Sequence, residues 1–163
     1  LAPDSAVYFS DSGPSGLTRA EGAVYRLDAD GDLTCLANNL PGPAGLLLSN
    51  DGHALLVAMS RDNAVWRLPL VDGHVTRAGR FIAMSGGFGP AGLAQDGDDN
   101  LYVAHHGLGA AWQFDRRGEA KYRIDSSRGD WISGVLRHPF HPNELYLIDA
   151  QTATVLRATM PMY

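Results

Sequence analysis

Residues able to do acid–base chemistry recur after four short apolar runs. Ser10, Asp11 and Ser12 follow Val7-Tyr8-Phe9, and Ser60, Arg61 and Asp62 follow Leu55-Leu56-Val57. His105, His106 and Gly107 follow Leu101-Tyr102-Val103, and Asp149 and Gln151 follow Leu145-Tyr146-Leu147. Carboxylates and imidazoles can act as general base or acid near neutral pH. Asp11, Asp62, His105 and Asp149 are therefore the catalytic candidates. Ser60, Arg61, His106 and Trp131 are the candidates for substrate contact. Plainer readings stand beside these. Asp after a strand commonly caps a turn. His105 and His106 are adjacent, so they point to opposite sides of a strand, and at most one faces a shared site. His138 and His141 have the spacing of a metal clip but fall in a turn. No G-x-S-x-G elbow supports a serine nucleophile. Gly87-Phe88-Gly89-Pro90-Ala91-Gly92 fits G-x-G-x-x-G, but its glycines enter a strand and no helix follows, so a dinucleotide site is excluded.

The elements that must hold these residues repeat. The apolar runs begin at residues 7, 55, 101 and 145, a period of about 45 residues. Each is followed by a second strand: Val24 to Leu27, Val65 to Leu68, Ala111 to Phe114 and Val155 to Ala158. A third run comes after most of these, at Leu33 to Leu36, Val75 to Ile82 and Ala120 to Ile124. A further run precedes the later units, at Ala44 to Ser49, Ala91 to Gln95 and Ser133 to Arg137. Asp30-Gly31, Asp51-Gly52, Asp72-Gly73 and Asp96-Gly97 supply the hairpin turns. Four strands per unit at this period is the pattern of a β-propeller blade. No segment holds a 3.6-residue apolar period, so helix is expected to be scarce.

The expectation is an all-β propeller segment of about three and a half four-stranded blades. It would form one unit over 1–163, with a partial blade at 1–40, complete blades at 41–87 and 88–129, and a partial blade at 130–163. Cut blades leave open strand edges, so a second chain or a missing N-terminal segment is expected to complete the ring. The chain opens on Leu1, and its biological N-terminus is expected elsewhere.

Composition narrows the function classes. The 163 residues carry 13 Lys and Arg against 18 Asp and Glu, a formal charge of -5. No basic patch suggests a nucleic-acid partner. No apolar run approaches the length that spans a bilayer, so no membrane partner is expected. The one cysteine, Cys35, excludes an internal disulfide framework. It is expected to be a small buried side chain, and it is compatible with a reducing, cytoplasmic compartment.

Several runs resemble the SMP-30/gluconolactonase/luciferin-regenerating family. They include Val7-Tyr8-Phe9-Ser10-Asp11, Gly22 to Gly31, Asn63 to Leu70, Asp99 to His105 and Ala153 to Ala158. The resemblance runs the length of the chain and corresponds to the C-terminal half to two-thirds of a member. It implies a six-bladed propeller with a divalent metal such as Ca²⁺ or Zn²⁺ at one channel mouth, which polarises a lactone or ester carbonyl. It also implies that strand a begins, and strand b ends, at that mouth. The family carries Pro-Asn-Gly and Pro-Asp-Gly where this chain reads Pro43-Ala44-Gly45 and Pro90-Ala91-Gly92. A methyl group cannot coordinate a hard cation, so no metal cofactor is expected from this chain. The expected function is hydrolysis of a sugar lactone or related small ester with the usual metal-ligand positions lost. The alternatives are a metal-independent enzyme like strictosidine synthase on the same scaffold, and a non-catalytic ligand-binding propeller.

Overall fold

A computed structural model describes residues 4–161. Among these, fifteen strands and a single short 3₁₀ turn form four antiparallel sheets. The first sheet is β1 (Val7–Asp11), β2 (Gly22–Leu27) and β3 (Leu33–Leu40). In the second, β4 (Pro43–Leu48), β5 (Ala54–Met59) and β6 (Ala64–Val71) lie side by side, and β7 (His74–Val75) and β8 (Gly79–Ala83) both pair with β6. The third is β9 (Gly89–Gln95), β10 (Leu101–His106), β11 (Ala110–Phe114) and β12 (Ala120–Asp125). The fourth is β13 (Ile132–Arg137), β14 (Glu144–Asp149) and β15 (Thr154–Thr159). The chain is a β-propeller segment, and no described helix is long and apolar enough to cross a membrane.

One strand departs from expectation. The run from Val75 to Ile82 is not continuous. Asp72 and Gly73 adopt positive φ and close a tight hairpin, which pairs His74 and Val75 with the end of β6. The chain then moves along the long β6 and pairs again at Gly79–Ala83 with its other half.

Alternation explains the core. Leu55, Val57 and Met59 on β5 face the first sheet and pack with Val24 and Leu40. Leu56 points the other way, into a cluster with Val65, Leu101 and Val103 between the second and third sheets. Tyr102 and Ala104 continue the pattern toward Ile132, Leu145 and Leu147 of the fourth sheet. Both faces of each central sheet are therefore buried, which is why β5 and β10 read as nearly continuous apolar runs. Each fully buried leucine contributes about 1.5–3 kcal/mol. Trp66 and Trp112, at equivalent strand positions, border the first and second of these clusters.

The outward faces of the end sheets are different. Cys35 is exposed, which corrects its expected burial. It pairs with Tyr25, which stacks on Phe9 at 5.3 Å, on the face of the first sheet that meets no other sheet. Burial of a strand residue depends on whether its face has a neighbour, and here it has none.

Close approach of the inner strands draws the sheets together. A Cβ on Gly45 of β4 would overlap the carbonyl oxygen of Ala91 on β9. A Cβ on Gly92 would lie 2.8 Å from the Cα of Gly134 on β13. Glycine here serves backbone proximity. At the far end of β10, buried Asp96 accepts hydrogen bonds from the Asn100 amide at 2.9 Å and the Tyr102 hydroxyl at 3.1 Å. Burial first, then the Asp96 charge, pushes the Tyr102 hydroxyl up to about 12. This network anchors the strand that ends in His105 and His106.

Candidate functional site

Strands β4 and β9 begin, and β1, β5 and β10 end, around one cavity of about 350 Å³. Its lining includes Ser10, Ala44, Ser60, Arg61, Ala91 and His106. Ser10 Oγ donates to the Ala44 carbonyl at 2.5 Å, and Ser60 Oγ donates to the Gly42 carbonyl at 2.9 Å. Each serine has thereby used its only proton. What remains on each is acceptor capacity, suited to a ligand's hydroxyl groups.

His106 closes the last position of β10. Its ring meets Phe88 and Trp131 edge-on, both at 5.6 Å between centroids. Its backbone forms an isolated bridge with Trp131, and its carbonyl accepts from the Phe88 amide at 2.7 Å. Its Nε2 is buried and has no partner among the described residues. Arg61 follows β5 in the 3₁₀ turn Ser60–Asp62 and is exposed. Gly42, at φ +65°, leaves room for it, since a Cβ there would lie 2.7 Å from Arg61 Cγ. Arg61 carries the permanent charge of the lining, and none of the lining residues is a carboxylate. Among the described residues, no three His, Cys, Asp or Glu side chains stand together as an ion would require.

The structure thus brings Ser60, Arg61 and His106 together, with Trp131 behind His106. Asp11 lies beside the cavity, exposed, with Oδ1 accepting from the Gly13 amide at 2.9 Å. His105 points away. It is fully buried, with Nε2 2.9 Å from the Gly86 carbonyl, against a separate cavity of about 190 Å³ that Met84 and Trp112 share. Burial pulls its pKa down, the Gly86 hydrogen bond opposes this, and the Arg123 charge adds to the lowering.

Asp149 is also fully buried and turned inward. Its carboxylate accepts from the Gly129 amide and the Thr152 hydroxyl, both at 2.7 Å, and from the Gln151 amide at 2.9 Å. Burial works to raise its pKa, but these hydrogen bonds outweigh it and hold the carboxyl below the ordinary range. The group organises the loop before β13.

Asp62 accepts from Trp66 Nε1 at 2.6 Å and is gripped by both arms of the Arg80 guanidinium. The Arg80 hydrogen bond holds its carboxyl low against the opposing pull of burial, helped by Trp66. A depressed folded pKa means the stabilisation is complete above the unfolded value and lost as pH falls through the folded one. Asp62→Asn is therefore expected to lower the melting temperature at pH 7. Its deficit against the native protein should shrink as pH drops below about 3.9. A deficit that stays constant in thermal melts down to acid pH would contradict this role.

Ser10 and Phe88 line the cavity but were not among the substrate-contact candidates. Phe88 lies in a glycine-rich run that enters a strand, where no neighbouring residue marks it for chemistry. Ser10 stands at the end of the first repeated run, the place that Ser60 and His106 hold at the ends of theirs.

The sequence profile of the SMP-30/Gluconolactonase/LRE-like region matches residues 1–136. The chain belongs to this family. Lactonase drp35 of Staphylococcus haemolyticus is 37% identical over 106 residues, covering 62% of this chain and 33% of that protein. Lactonase drp35 of Staphylococcus aureus strain USA300 is 36% identical over the same length. Among solved structures, a gluconolactonase from Xanthomonas campestris superposes with a TM-score of 0.83 at 22% identity, covering 99% of this chain and 55% of that one. A luciferin-regenerating enzyme superposes with a TM-score of 0.82 at 18% identity, covering 96% of this chain and 58% of that one. These two likenesses establish the fold. The match spans about a third of the Staphylococcus lactonases. It spans a little over half of the two solved chains. For this SMP-30/gluconolactonase-family chain, the cavity lies where Ala44 and Ala91 stand, at the start of the inner strands.

Proposed function

We propose that this chain is part of a propeller hydrolase that opens a small sugar lactone or related ester at this cavity. The observation that carries the reading is the meeting of Ser60, Arg61 and His106 at the strand ends of a lactonase-family chain. The lactonase name of the Staphylococcus relatives supports it. The family's divalent cation does not fit the residues present, because Ala44 and Ala91 offer methyl groups and the lining holds no carboxylate. On this reading the chemistry comes from side chains of this segment. The His106 imidazole takes a proton from water as that water attacks the lactone carbonyl. Arg61 stabilises the oxyanion that develops. The ring C–O bond breaks, and the proton held on His106 passes to the released ring oxygen. The product is a hydroxy acid, which leaves as its carboxylate. Ser10 and Ser60 accept hydrogen bonds from substrate hydroxyls.

The test is hydrolysis of gluconolactone by the complete protein, with and without a chelator. Activity that survives the chelator unchanged is expected. Activity abolished by it and restored by Ca²⁺ or Zn²⁺ would sink the metal-free reading. A pocket-carboxylate mechanism like that of strictosidine synthase is less well supported, since Asp62 and Asp149 are tied into structural networks. A non-catalytic binding propeller would show ligand binding and no turnover. A cytoplasmic site is part of the proposal and rests on the single cysteine alone.

The ring is proposed to be completed by a second chain or a further N-terminal segment. Val7, Phe9 and Leu33 on the outer face of the first sheet are 41%, 39% and 60% exposed. Leu136, Ile148 and Val155 on the outer face of the fourth are 53%, 37% and 66% exposed. Both faces are apolar enough to seat another sheet. Cys35 on the first of them is a built-in reporter. Alkylation by a thiol reagent should be rapid in the isolated segment and slowed by at least about tenfold in the complete ring, the protection expected of a buried group. Equal rates by mass spectrometry would show that no sheet covers this face.

A further inference from the structure

The cavity has the opposite electrostatic character to a cation site. Arg61 is permanently charged, and the neighbouring lining residues are serines, glycines, prolines, alanines, Phe88 and His106. The two acids adjacent in sequence to lining residues are already engaged: the Asp11 carboxylate accepts from the Gly13 amide, and the Asp62 carboxylate accepts from Arg80 and Trp66. Ser10 and Ser60 have already given their protons to backbone carbonyls, so they cannot neutralise a cation by charge or donate to an anion. The orphaned, buried Nε2 of His106 can become a donor. A neutral ligand seated here would leave the exposed guanidinium paired with water alone. A carboxylate or phosphate would pair with it in two parallel hydrogen bonds.

We propose that the channel mouth is a receptor for an anionic small molecule, held by Arg61 with His106 beside it. The ligand class is a polyhydroxylated carboxylate or a sugar phosphate, its hydroxyls accepted by Ser10 and Ser60. This deepens the hydrolase reading, on which it rests. The preferred lactone would carry its own acid group, and the opened hydroxy acid would bind as a product inhibitor.

The experiment is titration calorimetry on the complete protein with four probes: gluconate, glucose 6-phosphate, glucose and CaCl₂. At least one anion is expected to bind tenfold or more tightly than glucose. Gluconate alone would identify the carboxylate source, and glucose 6-phosphate alone the phosphate source. Arg61→Gln should remove the anion preference, and Arg61→Lys should restore part of it, with melting curves confirming that both variants fold. Equal binding of gluconate, glucose 6-phosphate and glucose, an unchanged preference in Arg61→Gln, or stoichiometric Ca²⁺ binding would each overturn the proposal. Failure here is separable from failure of the hydrolase reading. Anion binding without lactone turnover overturns the hydrolase and leaves the receptor. Turnover of neutral lactones with no anion preference does the reverse.

Discussion

Replacing His106 by Asn is expected to lower kcat for lactone hydrolysis by about 10²–10⁴-fold, the usual share of a general base. The melting temperature should change little. The imidazole touches its neighbours by ring edges, and its Nε2 holds no hydrogen bond whose loss would cost stability. The informative control is its neighbour. His105→Asn should keep most of the activity and lose stability, because His105 is fully buried and bonded to the Gly86 carbonyl. Steady-state kinetics beside thermal melts separates the two. Full activity in His106→Asn, with loss in Asp149→Asn beyond what its stability explains, would move the chemistry to a carboxylate.

Gly45→Ala is expected to be strongly destabilising. The added Cβ would overlap the Ala91 carbonyl oxygen, a backbone atom that cannot rotate aside. Overpacking of this kind costs about 1–3 kcal/mol, and more when both sides are rigid strands. Denaturant unfolding measures the cost. The same clash forces β4 and β9 apart at the positions next to Ala44 and Ala91, which line the mouth. Activity per folded molecule should therefore fall as well. Gly52→Ala gives the contrast: a Cβ there meets open space, and its positive φ is the main source of cost. A Gly45→Ala variant as stable as the native protein would refute the close approach of the inner strands.

Much of the fold was legible because the signal is local. A strand of period two, a hairpin turn and a repeat of about 45 residues are properties of neighbouring residues. The runs starting at Val7, Leu55, Leu101 and Leu145 fall in the strands β1, β5, β10 and β14. The split of the run after Val75 was not legible, because it depends on how far β6 extends beside it. The exposure of Cys35 was not legible either, because it depends on which face has a neighbour.

The site divides in the same way. Alternation along β10 establishes that His105 and His106 diverge, but sequence does not say which one meets the cavity. That was decided by the packing of β10 against the second sheet, which buries His105 beside Met84. The roles of Asp62 and Asp149 were hidden for a related reason. Their partners, Arg80 and the Gly129 amide, lie 18 and 20 residues away in sequence. By itself the sequence determined the repeat and the family, and it supplied the expectation about Ala44 and Ala91. Only the tertiary structure decided that Ser10, Ser60, Arg61 and His106 share one carboxylate-free cavity. The physical reason is that strand periodicity is written in adjacent residues. A shared cavity is the product of sheets meeting across more than 40 residues of chain.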